Sequence, residues 1–274
     1  FTLLPDFSTG GSIDVDNYSK GARGGKVRVR SDIEVLDKNT LVISSVPYGV
    51  TTTSLIDSII KANDKNKIKI KNIEDNTSED IEIIVNLKKD VSPTITIDAL
   101  YAFTQCEISI SPNCCVINEN KPSFITVDDV LNRSTDNTVN LLKSELIKLK
   151  SELTDKCHHL MLEIIFIENR VYKRIEKATT WENVLEEINI GISPFTSSLE
   201  RNINDNDIVR LTELKIKKIS NYDISRSKKQ LGDIKTEINQ VNKDIDNIID
   251  YTISFFDNLT DKYGKLYPRM TKIM

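Results

Sequence analysis

The feature that most constrains this chain is a run of apolar residues between Leu231 and Leu259. They are Leu231, Ile234, Ile238, Val241, Ile245, Ile248, Phe255 and Leu259. The steps alternate three and four, with Thr252 in the one remaining slot, which is the a/d spacing of a coiled coil. Lys, Asp, Glu, Asn and Gln fill most other positions, so only one stripe calls for burial. A second seam lies upstream at Val139, Leu142, Leu146, Leu149 and Leu153. Two seams with a long insert between them imply one helix going out and one coming back. At 1.5 Å per residue the second helix alone reaches roughly 40 Å. Such a rod suits a protein that must place two contacts far apart.

The 274 residues allow two ordinary domains. With 39% hydrophobic and 28% charged residues, the chain can bury a core and keep a polar surface. Its 9 Gly and 7 Pro argue against long flexible linkers. Net charge is -4, so any nucleic-acid contact must come from a local basic patch. Glu163 and Glu168 interrupt the most hydrophobic helix, and no membrane span is expected. The opening Phe1-Thr-Leu-Leu-Pro5 has neither Met nor a signal pattern and reads as a cut end of a longer protein. Cys106, Cys114, Cys115 and Cys157 lack metal-ligand spacing and read as free thiols in a reducing compartment. His158 and His159 beside Cys157 have no further His to complete a metal site.

Residues Leu3 to Gly25 read as loop and turn. Lys26 to Arg30 alternates strictly, a strand with one basic face that Ile33 to Val35 can extend. Further strands are expected at Thr40–Val46, Lys67–Lys71, Asp80–Leu87 and Cys106–Ser111. A last hairpin joins Val116–Asn118 to Ser123–Ile125. Helices are expected at Ser54–Asn63, capped from Thr51 to Thr53, and at Ile95–Thr104. This is one compact mixed sheet with helices on one side. From Val127 the pattern is helical, with Thr126 as N-cap and Asp128 and Asp129 in the first turn. The first arm runs to His159 and on towards Ile175. A short helix capped by Thr180 spans Trp181 to Ile188, Gly191 and Pro194 break the chain, and another helix spans Ile208 to Ile219. Asn221 to Asp223 is a turn, and Tyr267 to Arg269 a loop leading out.

Six motifs then carry a resemblance. Pro5-Asp6-Phe7-Ser8-Thr9-Gly10-Gly11 resembles a proline-aspartate-phenylalanine-proline-threonine-glycine-glycine motif, with Ser8 in place of the second proline. Arg23-Gly24-Gly25-Lys26-Val27-Arg28-Val29-Arg30 resembles the basic strand that follows it. Val46-Pro47-Tyr48, Glu74-Asp75-Asn76-Thr77, Leu100-Tyr101-Ala102-Phe103-Thr104 and Leu211 to Ile219 come in the matching order. Together they resemble the bacterial type IIA DNA topoisomerase A subunits over nearly the whole chain. The Ser111-Pro-Asn-Cys-Cys115 variant resembles the topoisomerase IV branch, with gyrase the near relative.

The resemblance implies an α+β fold: a mixed-sheet tower domain over 1–126, then a long antiparallel coiled coil carrying a small all-α dimerisation domain. The outgoing arm is 127–159, the helical exit-gate domain 160–220, the returning arm 221–264 and the tail 265–274. It implies DNA as a partner through the full enzyme, a homodimer through the helical domain, and an ATPase partner, the B subunit of topoisomerase IV. Mg²⁺ and ATP belong to that partner, with no cofactor in this fragment, and the setting is cytoplasmic and nucleoid-associated. The family's catalytic tyrosine follows an arginine in an upstream winged-helix domain. This chain has no such pair, so no catalytic residue is expected in it and the fragment alone should be inactive.

The residues leave some readings open. Arg23, Lys26, Arg28 and Arg30 form either a phosphate track or a solvated strand face, and the resemblance favours DNA. Lys67, Lys69 and Lys71 lean to the solvated face because Asp64, Glu74 and Asp75 are close in sequence. Thr51 to Ser54 read first as an N-cap and second as a phosphate cradle. Asp128-Asp129 and Glu186-Glu187 read as helix-end charge rather than acid/base pairs. Trp181 is expected in the helical domain's core. Leu160, Ile164, Ile167 and Val171 form either that core or a dimer surface. The rival to the whole reading is a coiled-coil adaptor with a small α+β head that binds only protein.

Overall fold

The computed structural model describes residues 3–215 and 221–274. The chain divides into two compact units, Phe1–Thr135 with Thr260–Met274, and Asp136–Leu259. Among the described residues no helix is long and apolar enough to cross a membrane.

The first unit holds two four-stranded sheets and a hairpin, where one sheet was expected. The strands are β1 (Ser12–Asp14), β2 (Val27–Arg30), β3 (Ile33–Asp37), β4 (Thr40–Ile43), β5 (Ile70–Asp75), β6 (Ile83–Leu87), β7 (Glu107–Ile110), β8 (Cys115–Asn118), β9 (Lys121–Phe124) and β10 (Lys272–Ile273). One sheet runs β10-β1-β2-β7 and the other β3-β4-β6-β5. Ile33 to Val35 therefore does not extend β2. The chain leaves the first sheet at Ser31, whose N–H donates to the Cys106 carbonyl (2.8 Å), and starts the second. Two further corrections concern short strands. Ser12–Asp14 was expected as loop, since three residues with one apolar side chain carry almost no pattern. Lys272–Ile273, beyond the loop expected to lead out, pairs parallel with β1.

The helices of this unit are α1 (Thr52–Asp64) and α2 (Pro93–Phe103). Leu55, Ile59 and Ala62 of α1 and Leu100 of α2 share one buried cluster with Leu41, Ile43, Ile70, Ile83, Val85 and Leu87 of the sheet. Both helices thus cover the same face of the β3-β4-β6-β5 sheet. Each fully buried Leu or Ile contributes about 1.5–3 kcal/mol. A smaller cluster of Ile13, Tyr18, Val27 and Val29 lies behind the other sheet. The β8–β9 turn is two residues long, Glu119 and Asn120, both at positive φ, the geometry that matches strand twist.

The long helix α3 (Val127–Glu168) passes from the first unit into the second. Its start is capped reciprocally: the Asp129 N–H donates to Thr126 Oγ1 (3.1 Å) and the Thr126 N–H to Asp129 Oδ2 (3.2 Å). It stops short of the expected Ile175, with Arg170 in the left-handed region. The second unit adds α4 (Trp181–Ile192), α5 (Asp205–Thr212), α6 (Asn221–Asp246) and most of α7 (Ile248–Tyr263). Gly191 does not break α4. It lies inside the helix, where a Cβ would come 2.5 Å from Val171 Cγ1. Asn221 to Asp223 is already helix, not turn. Trp181 is 53% exposed rather than in the core. The helix expected at Ile208–Ile219 begins earlier, at Asp205, and ends at Thr212 rather than continuing through Lys215; the remainder of that expectation, 216–219, lies outside the described residues.

Burial in the second unit follows the two apolar seams. Leu146 and Leu153 of α3 are buried with Val241 of α6, and Leu149, Ile234, Ile238, Ile245 and Ile248 pack against them. Thr252, the polar residue in the seam, is buried and returns its hydroxyl to the Ile248 carbonyl (2.8 Å). Phe255 and Leu259 stay more than a third exposed. A separate cluster holds Leu162, Phe166, Ile167, Val171, Ile188, Ile192, Ile208 and Leu211.

Candidate nucleic-acid interface

The two-residue alternation of β2 sends Val27 and Val29 into the core and leaves Arg28 exposed and Arg30 half-buried. The register then decides what the arginines meet. Asp14 stands opposite Arg28 on β1, and Glu107 stands opposite Arg30 on β7. The Arg28 guanidinium is paired with the Asp14 carboxylate, Nε donating to Oδ2 at 3.0 Å. Arg30 Nε donates to Glu107 Oε2 at 2.5 Å, and its guanidinium lies 4.8 Å from the Tyr101 ring centroid. A hydrogen bond from the Asp16 amide and the Arg28 guanidinium hold the Asp14 carboxyl below the usual carboxylate range. Arg23 and Lys26 are exposed and have no ion-pair partner among the described residues. So the four basic positions lie on one stretch, two neutralised across the sheet and two open. Asp14 and Glu107 were missed from the sequence, because cross-strand partners are visible only once the register is known.

Tyr101, on α2 and in the fifth of the six motifs, fixes the base of this sheet. Its hydroxyl donates to the Ser31 carbonyl (2.9 Å), and burial pushes its pKa up to about 12. The opening motif does comparable work. Asp6 Oδ1 accepts from the Thr271 N–H (2.8 Å) and Oγ1 (2.5 Å), and Asp6 Oδ2 accepts from the Met270 N–H (3.1 Å). The Thr271 hydroxyl leads the bonds that lower the Asp6 pKa to about 2. Asp6→Ala is expected to loosen β10, raising amide exchange at Lys272 and Met274, which donate to Gly11 and Ile13. Unchanged exchange there would refute the role.

Other candidates resolve locally. Thr51 and Ser54 bond each other's backbone N–H groups, which is an N-cap with its hydroxyls in use. Asp128 pairs with Lys20 (3.1 Å) and Glu187 with Arg174 (3.0 Å). Ile167 and Val171 lie in the second unit's apolar cluster, Ile164 is buried, and Leu160 is half-buried. All four cysteines are free; burial pushes the Cys106 thiol up to about 11. Among the described residues no group of His, Cys, Asp and Glu is arranged to hold a metal ion.

A sheet unit bearing a basic strand, joined to a helical unit with two matched seams, defines a class of architecture that comparison makes specific. The family described as the A subunit of DNA gyrase/topoisomerase IV matches residues 1–257, and the chain belongs to it. It is 38% identical over 273 residues to the DNA topoisomerase 4 A subunit of Borreliella burgdorferi, covering 100% of this chain and 43% of that one. It is 32% identical over 176 residues to the DNA gyrase A subunit of Lawsonia intracellularis, covering 59% of this chain and 21% of that one. With the gyrase A subunit of Mycobacterium bovis it shares 27% over 168 residues, 57% of this chain and 20% of the other. The chain thus spans less than half the length of these relatives.

Proposed function

We propose that this chain is the DNA-holding and gating part of the A subunit of an ATP-dependent type II DNA topoisomerase, topoisomerase IV in preference to gyrase. The full enzyme passes one duplex through a transient double-strand break in another. The carrying observation is the family match over residues 1–257 together with full-chain similarity to a topoisomerase 4 A subunit. In this reading residues 1–126 are the tower against the gate DNA. The stretches 127–159 and 221–264 are the arms of an antiparallel coiled coil, supported by the shared burial of their seams. Residues 160–220 are the exit gate and its homodimer contact, and of the apolar stripe Leu160 is the member left partly open. The ATPase partner, the B subunit of topoisomerase IV, brings ATP and Mg²⁺, and the assembly works in the cytoplasm on the nucleoid. Cleavage chemistry is assigned to other parts of the full-length polypeptide.

The β2 assignment has a graded test. Each phosphate contact contributes about 0.9 to the slope of log affinity against log salt. In the full-length protein, Arg23→Ala with Lys26→Ala is expected to flatten that slope by about 2. Adding Arg28→Ala and Arg30→Ala should change it little, because Asp14 and Glu107 already neutralise them. Identical DNA binding in all variants would remove the strand from the interface. A monomer by light scattering at tens of micromolar would count against the gate.

A further inference from the structure

We propose that one end of the β3-β4-β6-β5 sheet is a second contact for the phosphate backbone of duplex DNA, separate from β2. The topology gathers charges that the sequence scatters. Thr40 on β4 stands opposite Asn86 on β6, Asn86 is also paired with Asn72 on β5, and Leu87 pairs with Ile70. The β3–β4 turn with Lys38, the bulge residue Lys71 and the β6 exit with Lys88 and Lys89 therefore share one end. The Leu87 N–H donates to the Asn39 carbonyl (2.7 Å) and closes it. The C-terminus of α1 reaches the same place, since the Ile70 N–H donates to Asn63 Oδ1 (3.1 Å), and this brings in Lys65, Lys67 and Lys69.

All seven lysines are exposed, and none has an ion-pair partner among the described residues. Among the acids near them in the chain are Asp37, Asp64, Glu74 and Asp90. Two of these are already engaged: Asp37 accepts from the Asn39 N–H (2.7 Å), and Glu74 accepts from Asn72 (2.8 Å) and Asn86 (3.1 Å). Lys71, Lys88 and Lys89 line one shallow cleft with Asn39, Asn72, Asn86 and Glu74, so three cations face one carboxylate, and that carboxylate is held by the two asparagines Asn72 and Asn86. The opposite end of the sheet, the β5–β6 connection, carries Asp75, Glu79, Asp80 and Glu82 and no lysine. The signs are thus unevenly separated: lysines outnumber acids at one end of the sheet, and acids stand without lysine at the β5–β6 connection. A chain of net charge -4 that holds a polyanion needs such a separation. Of the four cations on and just before β2, by contrast, the register has neutralised two.

The inference rests on the DNA-holding reading, and the experiment separates the two. The 274-residue chain is titrated with a labelled linear duplex, by fluorescence anisotropy, from about 50 to 200 mM salt. The variants are Lys38→Gln with Lys71→Gln, Lys88→Gln with Lys89→Gln, all four together, and Arg23→Gln with Lys26→Gln. Circular dichroism checks that each keeps its fold. The quadruple variant is expected to weaken low-salt binding at least tenfold and to flatten the salt slope by three to four, about 0.9 per contact. Each pair should remove about half of that change. If the wild-type chain binds and the quadruple variant matches it while the Arg23/Lys26 variant does not, the second surface is overturned and the DNA-holding reading stands. If the wild-type chain fails to bind duplex even at low salt, both fall.

Discussion

Asp207→Ala is expected to cost the Asp136–Leu259 unit about 3 kcal/mol, because it removes a buried carboxylate that several charge-assisted hydrogen bonds share. Asp207 is 2% exposed. Arg201 grips it with two bonds, Nη1 to Oδ2 at 2.7 Å and Nη2 to Oδ1 at 3.0 Å. Asp207 also completes the N-cap of α5. Its own N–H donates to Asn204 Oδ1 and the Asn204 N–H donates to Asp207 Oδ2, both at 3.0 Å. His158 of α3, fully buried, has Nε2 3.4 Å from Oδ2, and His159 has Nδ1 3.5 Å from Oδ1. One carboxylate thus ties α3, the segment before α5 and α5 itself. The alanine would leave the Asn204 amide and His158 without this acceptor, and Arg201 with only Asp155 and the Asn202 carbonyl. Trp181 is the single Trp and lies in this unit, so urea unfolding followed by its fluorescence reports the unit alone. An unshifted midpoint would refute the role.

The same carboxylate gives the unit an acid limb. Burial alone would raise its pKa. The Arg201 and Asn204 hydrogen bonds and the Arg201 charge outweigh burial and bring it down to about 2 from 3.8. A folded value below the unfolded one means the stabilisation is complete above about pH 4. It is lost as pH falls towards 2, and amounts to about 2 kcal/mol. Asp207→Ala should lack that limb. Burial lowers the His159 pKa below 6.5, so its protonation adds a loss that begins as pH falls past that value.

Gly11→Ala is the second large effect, at about 3 kcal/mol or more for the sheet unit, against about 1–2 for Gly10→Ala. Both glycines have positive φ, +84 and +71. They differ in what a Cβ would meet. At Gly11 it would lie 2.3 Å from the Arg30 carbonyl oxygen, a backbone atom of β2 that cannot rotate away. At Gly10 the nearest atom is the Met270 carbonyl oxygen, 3.8 Å off. Gly11 also accepts the Lys272 N–H (2.9 Å), so a shift there disturbs β10 as well as β2. Thermal melts by far-ultraviolet circular dichroism compare the two. Equal losses would show that strain alone, not the approach to β2, sets the requirement for glycine.

Much of this molecule is local and was legible as such. Period-two alternation placed Val27 and Val29 inside and Arg28 outside, because successive strand side chains face opposite ways. Three-four spacing picked out Leu146, Leu153 and Val241 as buried and put Thr252 among them. Thr51, Thr126 and Thr180 each cap the helix they were expected to cap, since the capping bond spans three residues. The Lys67–Lys71 alternation misplaced a strand: Ile68 and Ile70 are buried as the pattern requires, but the ladder starts only at Ile70, where β6 is there to pair.

By itself, then, the amino-acid order determined the helices, most of the strands, the two seams and the basic stretch around β2. Tertiary structure alone decided that the strands split into two sheets and that β10 joins β1 across the full length of the chain. It also decided that acids neutralise Arg28 and Arg30, that seven lysines gather at one sheet end, and that Asp207 meets His158. The reason is range. Turn, cap and periodicity act over a few residues and leave their mark in the order of residues. Register, ion pairing and charge clustering join positions tens to hundreds of residues apart, and no local pattern carries them.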